Sequence, residues 1–385
     1  MLPKIMVVDD EPDLEVLITQ KYRKKIRNNE LEFVFASNGV DALKKLKHNG
    51  DIDILLTDIN MPEMDGLTLL AKINEDYPLL KAVIISAYGD MANIRLAFNR
   101  GAFDFLTKPI DFEDLAITID KTLSEARLIK QAVTDRDRLV AIQNELEVAR
   151  EIQSAMVPQI FPPFPERKEF DIVARMRPAK KVGGDFYDFF FIDDKHLGFA
   201  IGDVSGKGVP AALFMAVSRT LLKATALENL PPDACLSRVN KLLRAEKTNA
   251  MFVTIFYGIL NTMTGEIQYC NGGHNPPYIL TNQGQIRQTE LTDGFVIGAI
   301  SNSIYKANSI RLNPGDKLFM YTDGVPEATN PETDMYMEER LGKCLLRLKD
   351  LSLTDLVQGV FDDIEMFTNE AAQADDITVM ALKYR

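Results

Sequence analysis

From Ile110 to Val157 the chain contains neither glycine nor proline, and the stretch is rich in Glu, Arg, Gln, Leu and Ala. Those residues lose little on entering a helix, whereas glycine and proline cost about 1 and about 3 kcal/mol in its interior. A long helix is therefore expected, and the parts of the chain before and after it must fold around separate cores. Leu139, Ile142, Leu146, Ala149, Gln153 and Met156 recur at spacings of three and four within it, which suits a coiled-coil seam. A dimeric coiled coil and a single amphipathic helix lying on one of the domains both satisfy that pattern, with Gln153 as a polar residue in the seam. Pro158, Pro162, Pro163 and Pro165 end the helix.

Ahead of the helix, short β-rich runs at Lys4–Val8, Glu32–Ala36, Ile52–Thr57, Lys81–Ser86 and Phe103–Leu106 alternate with helical patterns such as Asp65–Asp76 and Met91–Arg100. That alternation implies a doubly wound, five-stranded parallel α/β sheet, whose ligands bind beyond the carboxyl ends of its strands. Beyond the prolines, Phe252–Leu260 and Ile267–Asn271 read as a hairpin. Helices are expected at Val209–Leu227, Pro232–Lys247, Glu338–Leu348 and Thr354–Asn369. Strands grouped apart from helices indicate an α+β domain. The expected division is 1–122, a helical linker over 123–158, and 159–385.

A length of 385 residues suits two to three domains, and 46% apolar content is enough for packed cores. The formal net charge of −12 argues against a nucleic-acid-binding output, which needs a basic face. Cys235, Cys270 and Cys344 are widely spaced and odd in number, fitting unpaired thiols in a reducing compartment. Met1–Val8 is too short for a signal peptide, and no apolar run approaches the roughly 20 residues needed to span a bilayer. A cytoplasmic protein without membrane attachment is expected.

Two sets of acidic residues carry the chemistry. In the first, Asp9, Asp10, Asp58 and Lys108 follow expected strands and Ser86 closes one. Asp9 and Asp10 offer hard oxygens suited to Mg²⁺. Asp58 is the candidate phosphoryl acceptor, Lys108 its counter-charge, and Ser86 a hydroxyl able to bond a phosphoryl oxygen. In the second, Asp185, Asp203, Asp323 and Asp376 lie in Val182-Gly-Gly-Asp-Phe186, Ile201-Gly-Asp-Val-Ser-Gly-Lys-Gly208, Tyr321-Thr-Asp-Gly324 and Ala374-Asp-Asp-Ile-Thr378. Converging carboxylates repel one another without cations. Paired metal ions about 3.5–4 Å apart can activate water and neutralise a phosphate ester. Gly202, Gly206 and Gly208 would let the backbone turn around the ions. His274 reads as a turn residue shaping the core, with a general acid as the rival role. Arg177 is near the Asp185 motif in sequence but carries no assignment as a phosphate ligand.

Residues 1–120 resemble a response-regulator receiver domain in Val7-Val-Asp-Asp-Glu11, Asp58 followed by Met61-Pro62 and Asp65-Gly66, Ser86-Ala87, and Lys108-Pro109. The resemblance implies phosphorylation of Asp58 by a sensor histidine kinase. It also implies Mg²⁺ bound by Asp10, aided by Asp9, Asp58 and the Asn60 main-chain carbonyl, with Phe105 as the switch aromatic.

Residues from about 140 to 385 resemble the SpoIIE-like branch of the metal-dependent protein phosphatase 2C family. The matches include Glu145–Gln153, Val182–Asp188, Gly202–Gly208, Asn271-Gly-Gly-His-Asn-Pro-Pro277, Tyr321–Glu327 and Asp375–Thr378. This implies two packed β-sheets flanked by helices and two Mn²⁺ or Mg²⁺ ions. Asp203 would bridge the ions with help from the Val204 carbonyl; Asp185, Asp323 and Asp376 would complete the site. The implied substrate is a phosphoserine or phosphothreonine protein of the anti-sigma-factor-antagonist class, and the helix would make a homodimer. A catalytically silent phosphatase-like adaptor is the alternative, and a DNA-binding regulator lacks both a basic patch and a helix-turn-helix pattern.

Overall fold

The structure is a computed structural model that describes residues 2–48, 51–87, 90–245 and 251–385. Two compact units divide at Ile142 and Gln143. In the first, β1 (Lys4–Val8), α1 (Pro12–Lys21), α2 (Arg23–Arg27), β2 (Glu32–Ala36), α3 (Gly39–His48) and β3 (Ile54–Asp58) are followed by α4 (Gly66–Asp76), β4 (Lys81–Ala87), α5 (Met91–Asn99) and β5 (Asp104–Lys108). The strands form one parallel sheet in the order β2-β1-β3-β4-β5. Alternate side chains leave opposite faces of a strand. Met6, Leu55 and Ile84 accordingly pack with Leu46, Leu70 and Ile73 of α3 and α4. On the other face Ile5, Leu56 and Val83 pack with Leu14 and Ile18 of α1. A sheet covered on both faces explains why its strands read as nearly continuous apolar runs.

The long helix, α6 (Phe112–Met156), begins well before position 123. Its first turns bury Leu115, Ile119, Leu123 and Ala126 in the same core as β1 and β3. These turns are the last layer of the first unit, so Leu123 and Ala126, which fall in the expected linker, pack in that unit's core. The expected seam is also divided: Leu139 and Ile142 are exposed, whereas Gln153 is buried.

The second unit contains β6 (Phe170–Arg177), β7 (Phe186–Asp193), β8 (His196–Val204), α7 (Val209–Ala226), α8 (Pro232–Ala245), β9 (Val253–Asn261), β10 (Glu266–Gly272) and β11 (Tyr278–Leu280). It continues with β12 (Ile286–Gln288), β13 (Asn308–Arg311), β14 (Lys317–Tyr321), α9 (Met337–Leu348), α10 (Leu353–Thr368) and β15 (Ile377–Tyr384). The end of the helix expected to reach Lys247 lies outside the described residues. Two antiparallel sheets result, β13-β10-β9-β8-β7 and β12-β11-β14-β15-β6. Leu318, Met320, Met380 and Leu382 face a core shared with Phe199, Ile201 and Phe256 of the other sheet. Their neighbours Phe319, Tyr321, Val379 and Ala381 pack against Leu341, Leu345, Val360 and Ile364 of α9 and α10. This alternation makes a helix-flanked sandwich and aligns the ends of β8 and β14 with the start of β15.

Among the described residues no helix is long and apolar enough to cross a membrane. Cys235, Cys270 and Cys344 are buried free thiols.

Candidate functional site

In the first unit, Asp58 is the last residue of β3 and Lys108 the last of β5, while Ser86 is the penultimate residue of β4. Asp58 and Lys108 thus lie within the strand ends rather than just after them. Lys108 Nζ is 2.8 Å from Asp58 Oδ2, 3.0 Å from Asp9 Oδ2 and 3.7 Å from Glu11 Oε1. Burial opposes the charge on Lys108, but its hydrogen bonds to Asp58 and Asp9 raise its pKa. Burial pushes Asp9 up, against the hydrogen bonds from the Glu11 amide and Lys108.

The main-chain N–H of Ile59 donates to Asp58 Oδ1 at 2.7 Å. Carboxylate oxygens of Asp9, Asp10 and Asp58 lie within 4.8 Å of one another. The buried Ser86 hydroxyl has no hydrogen-bond partner among the described residues. This all-oxygen donor set fits a hard divalent cation, with a hydroxyl free to meet a phosphoryl oxygen. Gly66 is required beside the acceptor, because a Cβ there would lie 2.0 Å from the Asp58 carbonyl oxygen. Asn60 is exposed beyond β3. Phe105 is half-buried on β5, with its ring edge-on to Phe98 at 5.9 Å.

In the second unit, carboxylates arrive from the ends of separate strands. Asp185 is buried just before β7, and its Oδ2 accepts hydrogen bonds from Thr322 Oγ1 at 2.7 Å and Thr378 Oγ1 at 2.6 Å. Burial, then the charges of Asp203 and Asp376, hold its carboxyl well above the usual range. Asp203, near the end of β8, is pushed up to about 8 by burial and then by Asp323 and Asp375, with a hydrogen bond to Asp185 opposing. Asp323, just past β14, is pushed up to about 6 by burial, Glu327 and Asp375. Carboxylate oxygens of Asp323, Glu327 and Asp375 lie within 4.8 Å of one another. Asp185, Asp203 and Asp323, raised first by burial and then by neighbouring carboxylates, belong to a donor set that divalent cations would relieve.

Asp376, expected among the metal ligands, has a different set of partners. Its Oδ1 accepts from the Ala179 amide at 2.7 Å and its Oδ2 from the Gly184 amide at 2.6 Å. Asp375, which sequence reasoning missed, is the neighbour that faces Asp323 and Glu327. Lys207 Nζ reaches Asp375 Oδ2 at 2.9 Å. Nothing in an Asp-Asp pair tells which side chain meets Asp323 and Glu327. Glu327 had a signal, since it lies one helical turn beyond Asp323 and its amide donates to the Asp323 carbonyl at 2.9 Å.

The glycine motifs answer close approaches. A Cβ on Gly183 would lie 2.2 Å from Asp376 Oδ2, and one on Gly184 would lie 2.8 Å from the Val204 carbonyl oxygen. Gly206 and Gly208 adopt φ of 90° and 78° in the loop carrying Lys207. His274 is buried, with Nδ1 2.8 Å from Thr254 Oγ1, and burial pushes it down to about 4. Arg177 stacks over the Phe361 ring, 5.6 Å from its centroid.

A receiver followed by a protein-phosphatase-2C-like sandwich is the class that this fold and these two acidic sites define. Residues 193–385 match the family model of stage II sporulation protein E (SpoIIE), and residues 5–120 match that of the response regulator receiver domain. The chain belongs to the SpoIIE family and carries an N-terminal receiver. It is 32% identical over 265 residues to protein IcfG of Synechocystis sp., an alignment covering 62% of this chain and 41% of that protein. It is 25% identical over 272 residues to the phosphoserine phosphatase RsbU of Bacillus subtilis, covering 71% of this chain and 79% of that one. The SiaA-PP2C domain of Pseudomonas aeruginosa shares the fold with a TM-score of 0.57 and 20% identity, over 64% of this chain and 99% of that domain.

Proposed function

We propose that this chain is a metal-dependent protein serine/threonine phosphatase whose output is set by phosphorylation of Asp58. The observation that carries the reading is the convergence of Asp203, Asp323 and Asp375, with Glu327, on one mutually repelling cluster. Asp203, Asp323 and Asp375 would hold Mn²⁺ or Mg²⁺, with Glu327 and the Val204 carbonyl at the margin. When bound, the cations supply charge neutralisation and an activated water for attack on a phosphate ester. Asp185 orients the site from its buried side through Thr322 and Thr378, and Asp376 fixes the loop before β7.

The substrate class is a phosphoserine or phosphothreonine protein, a choice that similarity to RsbU, named a phosphoserine phosphatase, supports; within that class an anti-sigma-factor antagonist is the substrate proposed. In the receiver, Asp9, Asp10 and the Asn60 carbonyl would hold Mg²⁺ while a sensor histidine kinase supplies the phosphoryl group to Asp58. Lys108 and Ser86 would then meet the phosphoryl oxygens, and Phe105 would respond. To move an output from 1:99 to 99:1, that modification must favour one state by about 5.5 kcal/mol. Leu139 and Ile142, exposed on α6, suit a homodimer contact.

The test is Mn²⁺-dependent hydrolysis of a small aryl phosphate and of a phosphoserine protein, with and without acetyl phosphate. Turnover should require Mn²⁺, vanish in Asp203→Asn and lose its response to acetyl phosphate in Asp58→Ala. Metal-independent silence on both substrates would instead favour a phosphatase-like adaptor.

A further inference from the structure

Gln153 lies in the last turn of α6 and is buried. Its side-chain amide grips a single residue from both sides: Nε2 donates to the Gly183 carbonyl at 2.7 Å, and Oε1 accepts from the Gly183 amide at 3.0 Å. Gly183 is the residue whose absent Cβ leaves room for the Asp376 carboxylate. The next amide along, that of Gly184, donates to the same carboxylate, and Asp185 follows with its bonds to Thr322 and Thr378. Lys181 Nζ adds a second tie between helix and loop through Glu147 Oε2 at 2.8 Å.

We infer that Gln153 is a positioning residue that makes the placement of the Gly183–Asp185 loop behind the metal-holding carboxylates depend on the seating of the end of α6. The inference rests on the phosphatase reading above and adds how that site is regulated. A glutamine carries its donor NH2 and its acceptor oxygen at a fixed separation, matching the carbonyl and amide of one peptide residue. Gly183 has no side chain with which to hold its own position, so its two main-chain bonds to Gln153 set where Asp185 and Asp376 stand. If the helix end turns or withdraws, both bonds break together, and the carboxylates lose the frame in which cations would be shared. The same helix carries Leu115, Ile119, Leu123 and Ala126 in the receiver core, so a change there has a covalent path to Gln153.

The test uses the full chain as wild type, Gln153→Ala, Gln153→Met and Asp203→Asn. Mn²⁺ binding is followed by calorimetry and aryl-phosphate hydrolysis is measured across Mn²⁺ concentrations. The difference between the wild-type and Asp203→Asn isotherms isolates the phosphatase sites from the receiver site. Removing a group that orients a metal ligand typically costs about 10–100-fold in metal affinity or activity. The expected result is Mn²⁺ affinity at those sites weakened about tenfold or more in the Gln153 variants, with hydrolysis recovering towards wild type at saturating Mn²⁺. Gln153→Met keeps the side-chain volume without the hydrogen bonds, and it decides the matter if Gln153→Ala does not fold. Wild-type Mn²⁺ affinity in a folded Gln153→Met protein would overturn the assignment, as would loss of turnover that saturating Mn²⁺ does not restore. Failure of the wild type itself to bind Mn²⁺ at the Asp203-dependent sites would overturn the phosphatase reading and the Gln153 assignment with it.

Discussion

Asp375 and Asp376 are neighbours in the chain, yet their carboxylates serve different partners. Asp375 meets Asp323, Glu327 and Lys207, while Asp376 accepts the amides of Ala179 and Gly184. The two should separate cleanly on mutation. Asp375→Asn is expected to abolish most Mn²⁺-dependent turnover while leaving metal-free stability unchanged or higher, because it removes a like charge from the cluster. Asp376→Asn is expected to lose about 1.5–3 kcal/mol of stability, the range for a hydrogen bond to a charged group. Urea unfolding of both variants beside a turnover assay checks this, and a stable, inactive Asp376→Asn would reverse the assignment.

Cation binding should change the sign of the pH dependence of stability. Asp185, Asp203 and Asp323 all have folded pKa values raised above the ordinary 3.8, with Asp323 at about 6 and Asp203 at about 8. The folded state therefore holds protons that the unfolded chain would release. Their favourable contribution is present below about 4 and is lost as pH rises through the folded values. In chelator, the melting temperature of the C-terminal unit should fall across the interval from about 4 to about 8. Millimolar Mn²⁺ should restore it most at the alkaline end, where the carboxylates are free of protons. A chelated protein that gains stability through this interval would contradict the carboxylate cluster as its controlling feature.

Gly66 offers a test of the receiver that leaves every charged group in place. Its ideal Cβ would stand 2.0 Å from the Asp58 carbonyl oxygen, so alanine must push the strand end carrying the acceptor. Overpacking of this kind typically costs about 1–3 kcal/mol. Gly66→Ala should therefore be destabilised by about that much and should incorporate less phosphoryl group from acetyl phosphate than wild type. Unchanged stability with unchanged labelling would mean that the turn relaxes without moving Asp58.

Much of this was legible in the residues themselves. The five parallel strands were readable because a sheet buried on both faces needs apolar runs, and the polar residues that end them then stand out. The strand ends were less so, since Asp58 and Lys108 belong to the ladders and only the pairing reveals it. Asp375 was hidden by an identical neighbour. Gln153 read as a polar flaw in an apolar seam because its partner, Gly183, is 30 residues away across a proline-rich segment. Periodicity reports which face of a helix is apolar, but not which long-range partner satisfies a polar residue on it.

His274 provides the last test, because a buried histidine beside an acidic site invites a catalytic role that its surroundings oppose. Asn271 brackets its main chain, accepting from the His274 amide at 2.7 Å and donating to its carbonyl at 2.8 Å. Thr254 Oγ1, 2.8 Å from Nδ1, is also 3.5 Å from the Asp203 carbonyl oxygen, so the ring braces the strand behind Asp203. Burial lowers the imidazole from 6.5 to about 4, so it is neutral at pH 7 and is not a proton reservoir for the leaving group. His274→Gln should lower turnover by less than about tenfold and keep the shape of the pH–rate profile, since a general acid contributes about 10²–10⁴-fold. A group whose folded pKa lies below its unfolded value destabilises the fold as pH falls between the two. The stability of wild type relative to His274→Gln should accordingly decline as pH falls from 6.5 towards about 4. Loss of one limb of the pH–rate profile in that variant, with its fold intact, would make His274 the acid after all.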